Sequence, residues 1–158
     1  MEPHEVIITL EASDEFKEWL TQHKDHFLAH IFLQEGNEQV GFYNPRTEKM
    51  TTFIVADKIS SIADQEVLKG DTELQALELS QVQITLHDAL EKAQEVLEEE
   101  YSKEIILRNL VVLQQLDDIA TYNITYFSQS FKTINVRIRA DTGEILSHSA
   151  ASLADFVK

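Results

Sequence analysis

The chain predicts an α+β fold: two tandem helix-plus-antiparallel-sheet units packed together, at residues 1–58 and 81–158, joined by a connection at 59–80. Three observations carry this. Each half holds one amphipathic helix followed by a run of short strands. Turn residues separate those strands at the spacing of hairpins. The halves also share letters, since Val6-Ile7-Ile8-Thr9-Leu10 matches Val82-Gln83-Ile84-Thr85-Leu86 at four of five positions, 76 residues apart. Internal similarity of this kind points to a repeat. A second pair of turns, Arg46-Thr47-Glu48-Lys49-Met50 and Asp141-Thr142-Gly143-Glu144-Ile145, stands 95 residues apart, which gives the second unit the longer sheet.

In the first half, Ser13 to Lys24 reads as a helix. Ser13 caps it, Asp14 and Glu15 sit in its positive first turn, and Phe16, Trp19, Leu20 and His23 make one face. Phe27 to Gln34, Gln39 to Tyr43 and Met50 to Ala56 read as strands. Glu35-Gly36-Asn37-Glu38 and the Pro45 segment supply the turns between them. Asp57 to Ser80 has scattered apolar residues and a turn signal at Lys69-Gly70-Asp71, and Leu74, Leu77 and Glu78 suit the start of a short helix.

The second half is clearer. Thr85 caps a helix over Leu86 to Tyr101, whose apolar stripe is Leu86, Ala89, Leu90, Ala93, Val96, Leu97 and Tyr101. Glu91, Glu95, Glu98 and Glu99 fall outside the stripe. Strands follow at Ile105 to Leu113, Thr121 to Ser128 and Thr133 to Ala140, and a fourth begins at Ile145 to His148. Ala151 to Lys158 reads as a tail with one helical turn.

Composition excludes several classes. With 43% hydrophobic residues, 158 positions can bury an ordinary core. No cysteine is present, which removes disulfides, thiolate nucleophiles and thiolate metal sites. The start of the chain lacks the pattern of a secretory signal, and no run approaches the ~20 apolar residues of a membrane span. A soluble, cytoplasmic protein is expected. Net charge is −15, which repels phosphate backbones and anionic lipid, so neither nucleic acid nor membrane is expected as a partner.

His23, His26 and His30 form H-x-x-H-x-x-x-H, but they straddle a predicted helix end and a strand, and no metal site is expected. Asp117-Asp118 and Glu98-Glu99-Glu100 sit where carboxylates are solvated, not in a pocket where general acid–base work is done. No nucleophile elbow, zinc-protease or phosphate-loop pattern occurs. The chain therefore predicts no catalytic residue and no cofactor.

Gln83-Ile84-Thr85-Leu86-His87-Asp88-Ala89-Leu90, and later Asn135 to Ile145 with its Asp141-Thr142-Gly143-Glu144 hairpin, carry a family resemblance. This stretch resembles the PepSY domain, which opens its helix with I-T-x-x-x-A and closes its sheet with an acidic-x-x-T-G hairpin. The resemblance covers residues 82–148 and extends weakly to 6–56, where Arg46 and Glu48 replace the family's Asp and Gly. It implies a helix on a curved antiparallel sheet, as in PepSY and cystatin-like folds. It also implies an inhibitory or regulatory protein-binding role, with no catalytic residues to carry over.

Aromatic residues stand on both faces of the predicted strands, which implies that the two units pack their sheets together. Tyr122, Tyr126, Phe127 and Phe131 are the candidate binding residues for a protein or peptide partner. It would dock on sheet surface or a free strand edge. A homodimer is compatible with the same surfaces. The alternative function is a small-ligand-binding or enzymatic cone-shaped domain with an internal pocket.

Overall fold

The computed structural model describes residues 1–67 and 73–153. Among the described residues three helices, α1 (Pro3–Glu11), α2 (Asp14–Gln22) and α3 (Leu86–Glu100), accompany eight strands. The strands are β1 (Phe27–Phe32), β2 (Glu38–Asn44), β3 (Lys49–Val55), β4 (Ile59–Glu66), β5 (Ile106–Leu116), β6 (Ile119–Ser128), β7 (Lys132–Arg139) and β8 (Ile145–Ser152). They form one antiparallel sheet in the order β4-β3-β2-β1-β5-β6-β7-β8.

This corrects the expectation of two tandem helix-plus-sheet units. The chain is a single, largely β fold. Its two four-stranded meanders meet edge to edge at β1 and β5, through His30↔Gln114, Ile31↔Leu113 and Phe32↔Val112. The reason lies in the packing. Phe53, Val40, Ile31, Leu113, Tyr122 and Ile138 pair in one unbroken row across six strands, and none is more than 1% exposed. An edge between the meanders would expose the middle of that row to water. Their sheets do not stack face to face. Of the aromatics on both strand faces, Phe42, Phe53, Tyr122 and Tyr126 are buried on the face of this row, and the others lie on the opposite face. There Phe27 packs on Tyr43 with ring centroids 5.5 Å apart and His30 on Phe32 at 5.3 Å.

All three helices cover the face that carries the buried row. Phe16 and Trp19 of α2 meet Phe53 at 5.3 and 5.2 Å. Ala89, Ala93 and Leu97 of α3 lie against the other half of the row. They recur at i, i+4 and i+8 on one face, and the two alanines let the helix come close to the sheet. The start of α1 is stitched to the start of α3 across the halves. The Glu2 carboxylate accepts the Leu86 amide at 2.6 Å and the His87 amide at 3.4 Å, which places an anion at the positive start of α3. Thr85 also caps α3, accepting the Asp88 amide at 3.0 Å.

Local departures from the sequence reading have local causes. Val6 to Leu10 lies inside α1, while its counterpart Val82 to Thr85 is not helical. The matching letters therefore serve different structures. Pro3 opens α1 and Glu2 and Glu5 form its capping box, and these outweigh a β-branched run. The segment expected as a connection contains β4 and a 3-10 turn at Leu79–Gln81, and Lys69-Gly70-Asp71 lies outside the described residues. Of the predicted tail, Ala151 and Ser152 extend β8, and residues 154–158 lie outside the described residues.

Candidate interaction surface

The four residues chosen from sequence fall in different environments. Tyr122 and Tyr126 point toward the helices and are 0% and 4% exposed. The Tyr122 hydroxyl donates to Ile84 O at 2.9 Å, and burial pushes its pKa far up. Burial pushes the Tyr126 hydroxyl up to about 12. Both are core residues, out of a partner's reach. Phe127 lies on the open face, half-buried beneath the Arg108 guanidinium at 4.5 Å.

Phe131 is 72% exposed and has φ 60°. It sits in the β6–β7 turn where a left-handed residue is needed, a position that favours Gly. A bulky side chain there costs about 1–2 kcal/mol. Stability therefore does not explain a phenylalanine that is both strained and wet. Ile105 and Leu107 are exposed near the same end, where Gln129 N donates to Ile105 O at 2.8 Å. A surface cleft of about 270 Å³ lies between Lys103, Glu104, Ile105, Gln129 and Ser130. Glu104 accepts from Ser130 and pairs with Lys132 at 3.0 Å, and these two contacts hold its carboxyl below the usual range.

Two of the histidines meet, His23 and His26 with ring centroids 5.4 Å apart, and the third does not join them. His23 stacks on Trp19 at 4.7 Å, and its Nδ1 lies 2.7 Å from Trp19 O. His30 lies on the opposite face of the sheet, over Gly41, and burial pushes its pKa down. Among the described residues no three potential metal ligands cluster. Asp117 and Asp118, at φ 49° and 66°, form the tight β5–β6 turn. Their positive φ values suit a primed hairpin turn, a structural duty.

The two outer strands contrast. Among the described residues β4 pairs with β3 alone and β8 with β7 alone. Along β4 the register shifts between Met50 and Thr52, Asp64 takes φ 51°, and Glu66 adds a charge. Bulges and charges are the usual guards of an edge. In contrast β8 reads Ile-Leu-Ser-His-Ser-Ala-Ala-Ser, with no charged residue, no Pro and no Gly, and Leu146 to Ala150 are exposed. Its one register shift is at its start, between Arg137 and Ile138. Alternate residues of an antiparallel edge turn N–H and C=O outward.

Two features flank β8. At its far end Leu153 N donates to Phe131 O at 2.7 Å, so the exposed phenylalanine stands where the strand finishes. Alongside its first half runs α3. The Lys92 side chain covers Gly143 in the β7–β8 turn, and the Tyr101 hydroxyl is 2.8 Å from His148 Nδ1. Glu95 and Glu99 lie at i+3 and i+7 from Lys92, on the same helix flank, exposed and in no ion pair among the described residues. Sequence reasoning named Phe131 but missed the edge beside it. Serine and alanine are weak strand formers, so the end of β8 gave no signal.

No helix among the described residues is long and apolar enough to cross a membrane. No family model matches the chain. No curated protein matches it in sequence. Among solved structures, it resembles a protein from Clostridium difficile 630 described as a "putative lipoprotein", with TM-score 0.55 and 13% identity. The match covers 87% of this chain and 91% of that one, and at this identity the likeness concerns the fold alone.

Proposed function

We propose that this chain is a non-enzymatic binding module of PepSY-like type that takes a protein or peptide partner as an added strand. The observation that carries the reading is β8, an exposed and uncharged outer strand ending beside Phe131. Strand addition draws affinity from backbone hydrogen bonds and selectivity from alternate side chains. In a chain of net charge −15, an eight-residue edge without a carboxylate is where a partner's backbone meets least repulsion. The PepSY-like stretch frames the same strand: Thr85 caps α3, Ala89 is buried beneath it, and Gly143 turns the hairpin at φ 81°. A cytoplasmic location belongs to this reading and is checked by fractionation of the source cells.

The test is selection from a library of extended peptides. Bound peptides are expected to slow amide exchange over Leu146–Ala150. Lysines at Ser147 and Ser149, both exposed, guard the edge as natural edges are guarded, and are expected to weaken binding about tenfold. Full binding by the S147K/S149K protein, or protection elsewhere in the sheet, sinks the reading.

A further inference from the structure

We infer that the β8 edge selects an extended segment that is apolar at its N-terminal end and basic toward its C-terminal end. The inference rests on the strand-addition reading above and adds the partner's chemistry and direction.

Direction follows from the sheet. Every pairing in it is antiparallel, so an incoming strand that continues the pattern runs opposite to β8. Its first residues then lie at the end of β8, beside Phe131, and its last residues lie near Ile145. The two ends of the edge offer different chemistry. At the first, Phe131 presents an aromatic ring to water from a backbone position suited to Gly. An apolar residue laid on that ring removes area from water on both partners.

At the second, α3 runs along β8 from Lys92 above the β7–β8 turn to Tyr101 above His148. Glu95 and Glu99 follow Lys92 at i+3 and i+7, on its flank of the helix. Of the other carboxylates of the helix, Glu91 pairs with His87 at 3.1 Å and Glu98 accepts from Gln94 at 3.3 Å, while exposed Asp88 stands one turn before Lys92 on its flank and Glu100 closes the helix. Two unpaired carboxylates beside an uncharged strand attract lysine or arginine and repel acidic segments. The same two carboxylates oppose a second copy of this chain, whose own Glu95 and Glu99 would approach them across the two-fold axis of a β8–β8 pair.

The test uses the full chain and three synthetic nonapeptides. The first is Phe-Thr-Val-Thr-Val-Thr-Lys-Thr-Lys, the second carries Glu at both Lys positions, and the third has the order reversed. Anisotropy gives affinity, and amide exchange of Leu146–Ala150 reports strand pairing. The first peptide is expected to bind most tightly, with β8 protected. E95Q/E99Q is expected to weaken it about fivefold, as two exposed ion pairs would, and to leave the second peptide's binding no weaker. Phe131→Ala is expected to weaken the first peptide more than the reversed one.

Equal binding of the first and second peptides with β8 protected overturns the charge selection and leaves strand addition standing. Equal binding of the first and reversed peptides overturns the direction. Binding without protection of β8 overturns strand addition itself. Protection that rises with the chain's own concentration and no peptide assigns the edge to a second copy, and overturns the peptide.

Discussion

The two outer strands of the sheet solve one problem in opposite ways. β4 is bent by a register shift, carries Asp64 in a left-handed conformation and ends at Glu66, which lies 4.0 Å from Lys49. β8 has none of these guards after its first residues. An edge left open costs solubility, and a chain of net charge −15 tolerates that cost because its overall repulsion keeps copies apart. The difference teaches that edge protection is local. Equal exposure of two strands does not make them equal as docking surfaces.

Four experiments break or sharpen this comparison. The largest effect is expected at the seam that both edges depend on. Leu113→Ala removes a fully buried side chain from the row between β1 and β5 and is expected to cost about 3 kcal/mol. Denaturant unfolding should then weaken exchange protection at β3 and β7 together. Loss confined to one side would show that the two edges belong to separately stable sheets.

Gly41→Ala acts on the β4 side alone. A Cβ at Gly41 would stand 2.5 Å from His30 Nε2 and 3.0 Å from Met50 Sδ, so the imidazole must move. The expected cost is about 1–2 kcal/mol by overpacking. Exchange protection should fall in β1 to β3 and hold in β7.

Phe131→Gly acts on the β8 side and is expected to stabilise the chain by about 0.5–1 kcal/mol. It relieves the left-handed strain and gives back part of it as unfolded-state entropy. A melting temperature that falls instead would mean that the exposed ring supports the fold.

The smallest effect comes from pH and separates the two sides by sign. Burial lowers the folded pKa of His30 below 6.5, so its contribution is present above pH 6.5 and is lost as pH falls below it. Burial raises Tyr126 from 10.0 to about 12, so its contribution is present below pH 10 and is lost as pH rises toward 12. Acid should loosen the β4 side first and alkali the β8 side first. His30→Gln and Tyr126→Phe should each flatten their own limb of a stability–pH profile.

Much of the sheet was legible because its strands alternate or run apolar between turn residues, as in β7, where Ile134, Val136 and Ile138 are all fully buried. The stripe of α3 was legible for the same reason. Helix α1 was not, because Val6-Ile7-Ile8-Thr9-Leu10 has the composition of a strand and only Pro3 with the Glu2–Glu5 box marks a helix. β4 was not, because an outer strand with both faces wet has no reason to alternate. Alternation also cannot say which face of a strand a helix will cover. Tyr122 and Tyr126 were therefore grouped with Phe127 and Phe131, although the helices bury the first two. The seam itself leaves no mark in either strand, since pairing runs through backbone groups that every residue carries.

That seam also sets an order of events. His30 and Gln114 are 84 positions apart, whereas neighbours within each meander are joined by short turns. Local hairpins close at little entropic expense, and the long closure must wait for them. For an interval during folding, β1 and β5 are finished strands with one bare side each. Any β5 offers the same three register partners to any β1. At high concentration, refolding chains are therefore expected to exchange halves and emerge as intertwined pairs, each built from two complete sheets and separable only by unfolding.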